Sequence, residues 1–203
     1  MADIQNFNNN TIISGTSSDD NISNNSCSNV VINAGNGNNT VASWRSSRDD
    51  SSDRYVTIRS GSGNDSIHNS SHYSIINAGA GNDTLSNNGN YATIYAEAGY
   101  DSINNSGTNS IIDGGSNNDT IYNFANNVLI NGNDDNDTIT NTGGDVSIDS
   151  GIGDNYVSNE GENVYIIGNN GDNYIFNQAN NVNIIVGDGD NTINNHIAHN
   201  VTI

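Results

Sequence analysis

The sequence predicts an all-β fold, a single parallel β-solenoid of about eleven 18-residue coils with two strands per coil, filling residues 1–203. Three observations predict it. An apolar residue follows each Asn-Asp-like pair, at Ile4, Ile22, Val41, Ile67, Leu85, Ile103, Ile121, Ile139, Val157, Ile175 and Ile193, and from Ile67 onward every interval is 18 residues. A second apolar series runs between them, at Ile13, Ile32, Ile58, Ile76, Ile94, Ile112, Ile130, Ile148, Ile166, Ile184 and Ile203. No segment carries a 3.6-residue apolar period, so no helix is expected to cover the strands.

The first strand of a coil reads like "DTIYN" (Asp119 to Asn123), with Ile inward and Thr outward. The second reads like "NVLI" (Asn127 to Ile130), where Val and Ile, one position apart, share a face. Such strands are too short for free-standing hairpins, so each coil must stack on its neighbours. At about 4.8 Å per layer, eleven layers make a rod roughly 50 Å long. Two residues after the first apolar series stands a column of Asn, from Asn6 and Asn24 through Asn69, Asn87, Asn105, Asn123, Asn141, Asn159 and Asn177 to Asn195, interrupted by Ser43. Stacked amides can bond one another along the rod. One residue before the same series, Thr40, Ser66, Thr84, Ser102, Thr120, Thr138 and Thr192 form a column expected to face solvent, with Tyr156 and Tyr174 interrupting it.

The two turns of the coil differ. From second to first series the step is always nine residues. The return step is nine in most coils, ten from Ile22 to Ile32 and from Ile193 to Ile203, and 17 from Val41 to Ile58. Insertions thus enter on one side only, and the Gly-Asp side is geometrically constrained. The long insertion, at about 43–55, reads "SWRSSRDDSSDRY" and holds the sole Trp with three of the four Arg. Trp44, Arg45, Arg48 and Arg54 are the residues expected to meet a partner there, if the loop is more than a tolerated insertion.

"SGSGNDSI" (Ser60 to Ile67), "AGAGNDTL" (Ala78 to Leu85) and "GGSNNDTI" (Gly114 to Ile121) resemble the RTX, or haemolysin-type, calcium-binding repeat, a Gly-rich nonapeptide with Asp sixth and an apolar residue eighth. The resemblance implies a parallel β-roll with calcium held between successive turns by loop carbonyls and the sixth-position carboxylate. In this chain that position is Asp20, Asn39, Asp65, Asp83, Asp101, Asp119, Asp137, Asn155, Asn173 and Asn191. Asp65, Asp83, Asp101, Asp119 and Asp137 are therefore the implied calcium ligands. The opposite turn carries Val, Ala, Ser or Thr at the matching position, which restricts the resemblance to one side of the coil. Family glycines are replaced by Glu97, Asn117, Asn133 and Asp135, and the last three coils invert the pair to "GDN". Carboxylates about 5 Å apart repel, at an effective dielectric of 20, by roughly 3 kcal/mol. A hard cation, protonation or splaying into water would each relieve this. Turn glycines and Asn/Asp hydrogen bonds explain the motif without a metal.

Composition narrows function. With 23 acidic residues against four basic ones and a net charge of -19, nucleic acid and anionic membranes are repelled, while multivalent cations are attracted. No apolar run is long enough for a membrane span, and "MADIQNFNNN" lacks the regions of a cleaved signal peptide. Cys27 stands alone, and His68/His72 and His196/His199 are expected to be solvated rather than metal-ligating. No acid/base pair stands out, so no enzymatic activity is expected. The first strand is in register from Ile4 and Asn6, and the last ends with Val201 and Ile203 in register, leaving no residues for caps. Open ends would stack Ile4 over Ile193 and Ile13 over Ile203 of another copy, a head-to-tail contact that propagates. The expected function is a non-enzymatic, self-assembling filament or surface layer, extracellular or at the cell surface without a classical signal, stiffened by calcium. The alternative is a calcium-dependent adhesin with a surface or carbohydrate ligand, or an ice-binding segment of a larger repeat protein.

Overall fold

The computed structural model describes residues 1–45, 55–196 and 198–203. Among them the chain coils as a parallel β-solenoid with two 11-stranded sheets and no helix. One sheet runs from Asp3–Asn6 (β1) to Thr192–Asn195 (β21), the other from Thr11–Ser14 (β2) to Val201–Thr202 (β22). Alternate strands in chain order are neighbours in each sheet, so each coil adds one strand to both. Register follows the apolar series: Ile103 pairs with Ile121 and Ile121 with Ile139, while Ile94 pairs with Ile112 and Ile112 with Ile130.

The strand Thr120–Asn123 (β13) and the strand Leu129–Asn133 (β14) show how a coil is built. Ile121, Val128 and Ile130 are buried with Ala125, and Tyr122 and Leu129 point outward. Three or four small apolar side chains per coil make a narrow core, and β-branched residues suit strands that pack at both faces of it. Thr84 and Ser66 of the hydroxyl column are exposed, and Thr120 and Thr138 are half-buried, as their outward register requires.

The Asn column completes the interior. Asn69, Asn87, Asn105, Asn123, Asn141, Asn159 and Asn177 each donate from Nδ2 to the Oδ1 of the next Asn at 2.8–2.9 Å. The second Nδ2 proton goes to the carbonyl two residues on, as in Asn123 to Ala125 at 2.8 Å. Oδ1 also accepts the N–H of that residue, 3.3 Å in the same pair. A buried amide must satisfy both of its faces, and here each does so by joining its own return turn to the coil above and the coil below. At the insertion Asn24 donates to Ser43 Oγ, which contacts Ser71 Oγ at 2.9 Å, so a hydroxyl pair replaces the missing rung.

Candidate functional site: the aspartate column

The Gly-Asp turn places its sixth-position side chains inside the coil, not on a coordinating surface. Asp65, Asp83, Asp101, Asp119 and Asp137 are 1–2% exposed. Each Oδ1 accepts the backbone N–H of the residue one coil earlier: Asn39 to Asp65, Asp65 to Asp83, Asp83 to Asp101, Asp101 to Asp119 and Asp119 to Asp137, at 2.6–2.8 Å. Asn155, Asn173 and Asn191 continue the series with their own Oδ1 atoms. One side-chain oxygen is therefore structural in Asp and Asn rungs alike.

The second atom separates them. In the Asn rungs Nδ2 donates to the carbonyls four and two residues upstream: Gly151 and Gly153 for Asn155, Asn169 and Gly171 for Asn173, Gly187 and Gly189 for Asn191, all at 3.0–3.2 Å. Asn39 does the same with Gly35 and Gly37. In the five Asp rungs that place is taken by Oδ2, which is buried and has no hydrogen-bond partner. An acceptor thus sits where the neutral rungs put a donor, an arrangement costing about 1–3 kcal/mol per group if nothing fills the gap.

Backbone conformation explains why carbonyls face this position. The residues four and two upstream have φ of +103° and +119° at Gly61 and Gly63. The family glycines that the sequence loses do not change this, since Glu97, Asn117, Asn133 and Asp135 keep φ between +75° and +80°. Asp20 shows the contrary case. Its turn, "GTSSD", has no positive φ at Thr16 or Ser18, and the Thr16 N–H turns inward to Oδ2 at 2.5 Å. With a second N–H from Ala2, the Asp20 carboxyl is held below the ordinary carboxylate range.

The Asp column titrates the other way. Burial pushes the carboxyls of Asp83, Asp101, Asp119 and Asp137 up to about 7, neighbouring carboxylates add to it, and the single N–H bond on Oδ1 opposes it. Asp65 is also raised by burial, against the Asn39 N–H.

Calcium, which the RTX resemblance implies here, takes six to eight oxygens. In each rung Oδ1 is committed to an N–H. The carbonyls of Glu97, Gly115 and Asn133, four residues upstream, each already accept one ladder N–H, from Ser116, Asp134 and Ile152, although a carbonyl has two lone pairs. In each Asp rung Oδ2 and the carbonyl two residues upstream accept no N–H, and among the described residues no three His, Cys, Asp or Glu side chains gather to hold a metal.

The remaining predicted residues fall in two places. Asn6 and Ile13 are buried in the first coil, where Ile4 is half-buried. In the last coil Ile193 and Val201 are half-buried and Ile203 is 71% exposed. At the insertion, Arg48 and Arg54 lie outside the described residues. Trp44 packs tilted against His68 with ring centroids 4.5 Å apart, and Arg45 contacts His72, whose Nδ1 accepts the Asn90 N–H. Both histidines are half-buried, with aromatic and backbone partners one coil away. The column Tyr55, Tyr73 and Tyr91 was not foreseen, although its 18-residue spacing is visible; Tyr73 and Tyr91 stack at 4.8 Å.

Known protein families, curated proteins and solved structures contain no match to this chain.

Proposed function

We propose that this β-solenoid is a non-enzymatic structural rod that assembles end to end into an extracellular or cell-surface filament. The observation that carries the reading is the polarity of the ladders. In the buried column every Asn-to-Asn bond runs from Nδ2 of one coil to Oδ1 of the next, so Asn195 presents a donor beyond β21 and Asn6 an acceptor ahead of β1. The edge strands at the two ends also belong to the same two sheets, with half-buried Ile4 and Ile193 on matching registers. A further coil from another copy extends both sheets and the Asn ladder without reversing either. Two different, complementary ends make a heterologous contact, which builds an open filament.

Electron microscopy and sedimentation over a range of concentrations test this. Filaments that lengthen with concentration, and that Ile193→Glu shortens, are expected. Monodisperse rods at every concentration, with and without calcium, overturn it. An ice-binding reading draws on one observation, the six consecutive outward hydroxyls Thr40, Ser66, Thr84, Ser102, Thr120 and Thr138, and a thermal-hysteresis measurement separates it from assembly.

A further inference from the structure

We propose that Asp65, Asp83, Asp101, Asp119 and Asp137 form a stack of neutral carboxylic acids, each Oδ2–H donating to its upstream loop carbonyls, and that this stack is a pH-sensitive seam along one edge of the rod. Two observations independent of any titration carry it. Four Asn rungs in the same column put a donor at this position. All five Oδ2 atoms are buried without a partner. A carboxylic acid is the isostere of the amide, with an O–H in place of the N–H; a carboxylate turns a lone pair toward carbonyl lone pairs. The charged groups that face the column offer no relief, for they are the column's own members together with Asp19, Asp113, Asp134 and Asp135.

The folded acids hold their protons to higher pH than the unfolded chain, in which Asp ionises near 3.8. Below that value both states are protonated and the seam costs nothing. As pH rises toward about 7 the unfolded state ionises first and stability falls. Above about 7 Asp83, Asp101, Asp119 and Asp137 ionise in place, and the seam carries adjacent buried charges. Loosening is confined to the Gly-Asp edge, because the Asn ladder at the other turn does not titrate.

The test is thermal unfolding from pH 4 to pH 8 of the wild-type chain, of a variant with all five Asp→Asn, and of a charge-matched control with Asp145, Asp154, Asp172, Asp188 and Asp190 changed to Asn. The wild type and the control are expected to lose roughly tens of °C in Tm across this range. The column variant stays nearly flat and is the most stable at pH 8. Carboxyl ¹³C shifts of the unmodified protein give a second reading that needs no variant, with the carboxyls of Asp83, Asp101, Asp119 and Asp137 titrating near neutrality and that of Asp65 above the ordinary carboxylate range. Parallel pH profiles for the column variant and the control, or five carboxyls titrating near 4, overturn the proposal. A calcium-induced rise in Tm at pH 6 that chelator reverses and the column variant lacks also overturns it, since it puts a cation at Oδ2.

Discussion

Removing one amide from the Asn ladder should cost far more than its size suggests. Asn123→Ala deletes four hydrogen bonds: to Asn141 Oδ1, to the Ala125 carbonyl, from the Ala125 N–H and from Asn105 Nδ2, at 2.8–3.3 Å. At about 1 kcal/mol net for each, the loss is about 4 kcal/mol. The site is fully buried, so water cannot replace the lost partners, and the Ala125 N–H and carbonyl are left facing an empty space. For a chain of this size 1 kcal/mol moves Tm by about 2–4 °C, giving a drop of roughly 8–16 °C by circular dichroism. Asn104→Ala, exposed on the neighbouring coil, is the control and should stay within about 0.5 kcal/mol. Because coils couple only to nearest neighbours, hydrogen exchange should also show the amides around residue 123 opening before those in distant coils. Equal effects for the two variants would refute the ladder as a source of stability.

Gly79→Ala should destabilise by about 3 kcal/mol, since its φ is +107° and a Cβ would stand 1.9 Å from the Gly61 carbonyl oxygen; Gly144→Ala, where the nearest atom is 3.3 Å away, should be nearly neutral in urea unfolding. Ile121→Ala should cost about 2–5 kcal/mol through the cavity it opens, and Tyr122→Ala on the outer face under 1 kcal/mol, by the same assay. Asp101→Asn should stabilise at pH 8 and be neutral at pH 3. The wild-type acid is favoured in the fold, so its contribution is lost as pH rises from about 4 to about 7, up to about 4 kcal/mol for a shift of three units. Denaturant midpoints at the two pH values read the difference.

The solenoid was legible because its signal is a period. Eleven repetitions of an apolar residue in two series determine coil length, register and which face is inside, and the Asn column needed only the same counting. The aspartates were harder. Their column was visible, but a period of 18 does not say whether a turn side chain points in or out, and the resemblance to a calcium repeat suggested a coordinating edge. In the five Asp rungs the backbone four and two residues upstream is left-handed, with carbonyls on the side chain's side. Sequence hides that conformation when Glu97 or Asn133 stands in place of Gly. The informative signal was the exchange of Asp for Asn at Asn39 and Asn155. An amide that substitutes for a carboxyl in a repeat marks a place where a donor is wanted. The "GDN" inversion fits the same logic: it moves Asp154, Asp172 and Asp190 to the exposed neighbouring position, where each of the first two accepts an N–H from the next coil. The packing of Trp44 on His68 was not legible at all, because it joins residues of two coils across an insertion of irregular length.

The account turns on buried side chains that bond from coil to coil, and side-chain amide exchange followed by ¹⁵N NMR tests this most directly. Nδ2 protons of Asn69, Asn87, Asn105, Asn123, Asn141, Asn159 and Asn177 should be strongly protected, with couplings from each Nδ2 to the Oδ1 partner 18 residues on, while those of Asn104 and Asn194 exchange rapidly. Equal, rapid exchange in both groups would contradict it.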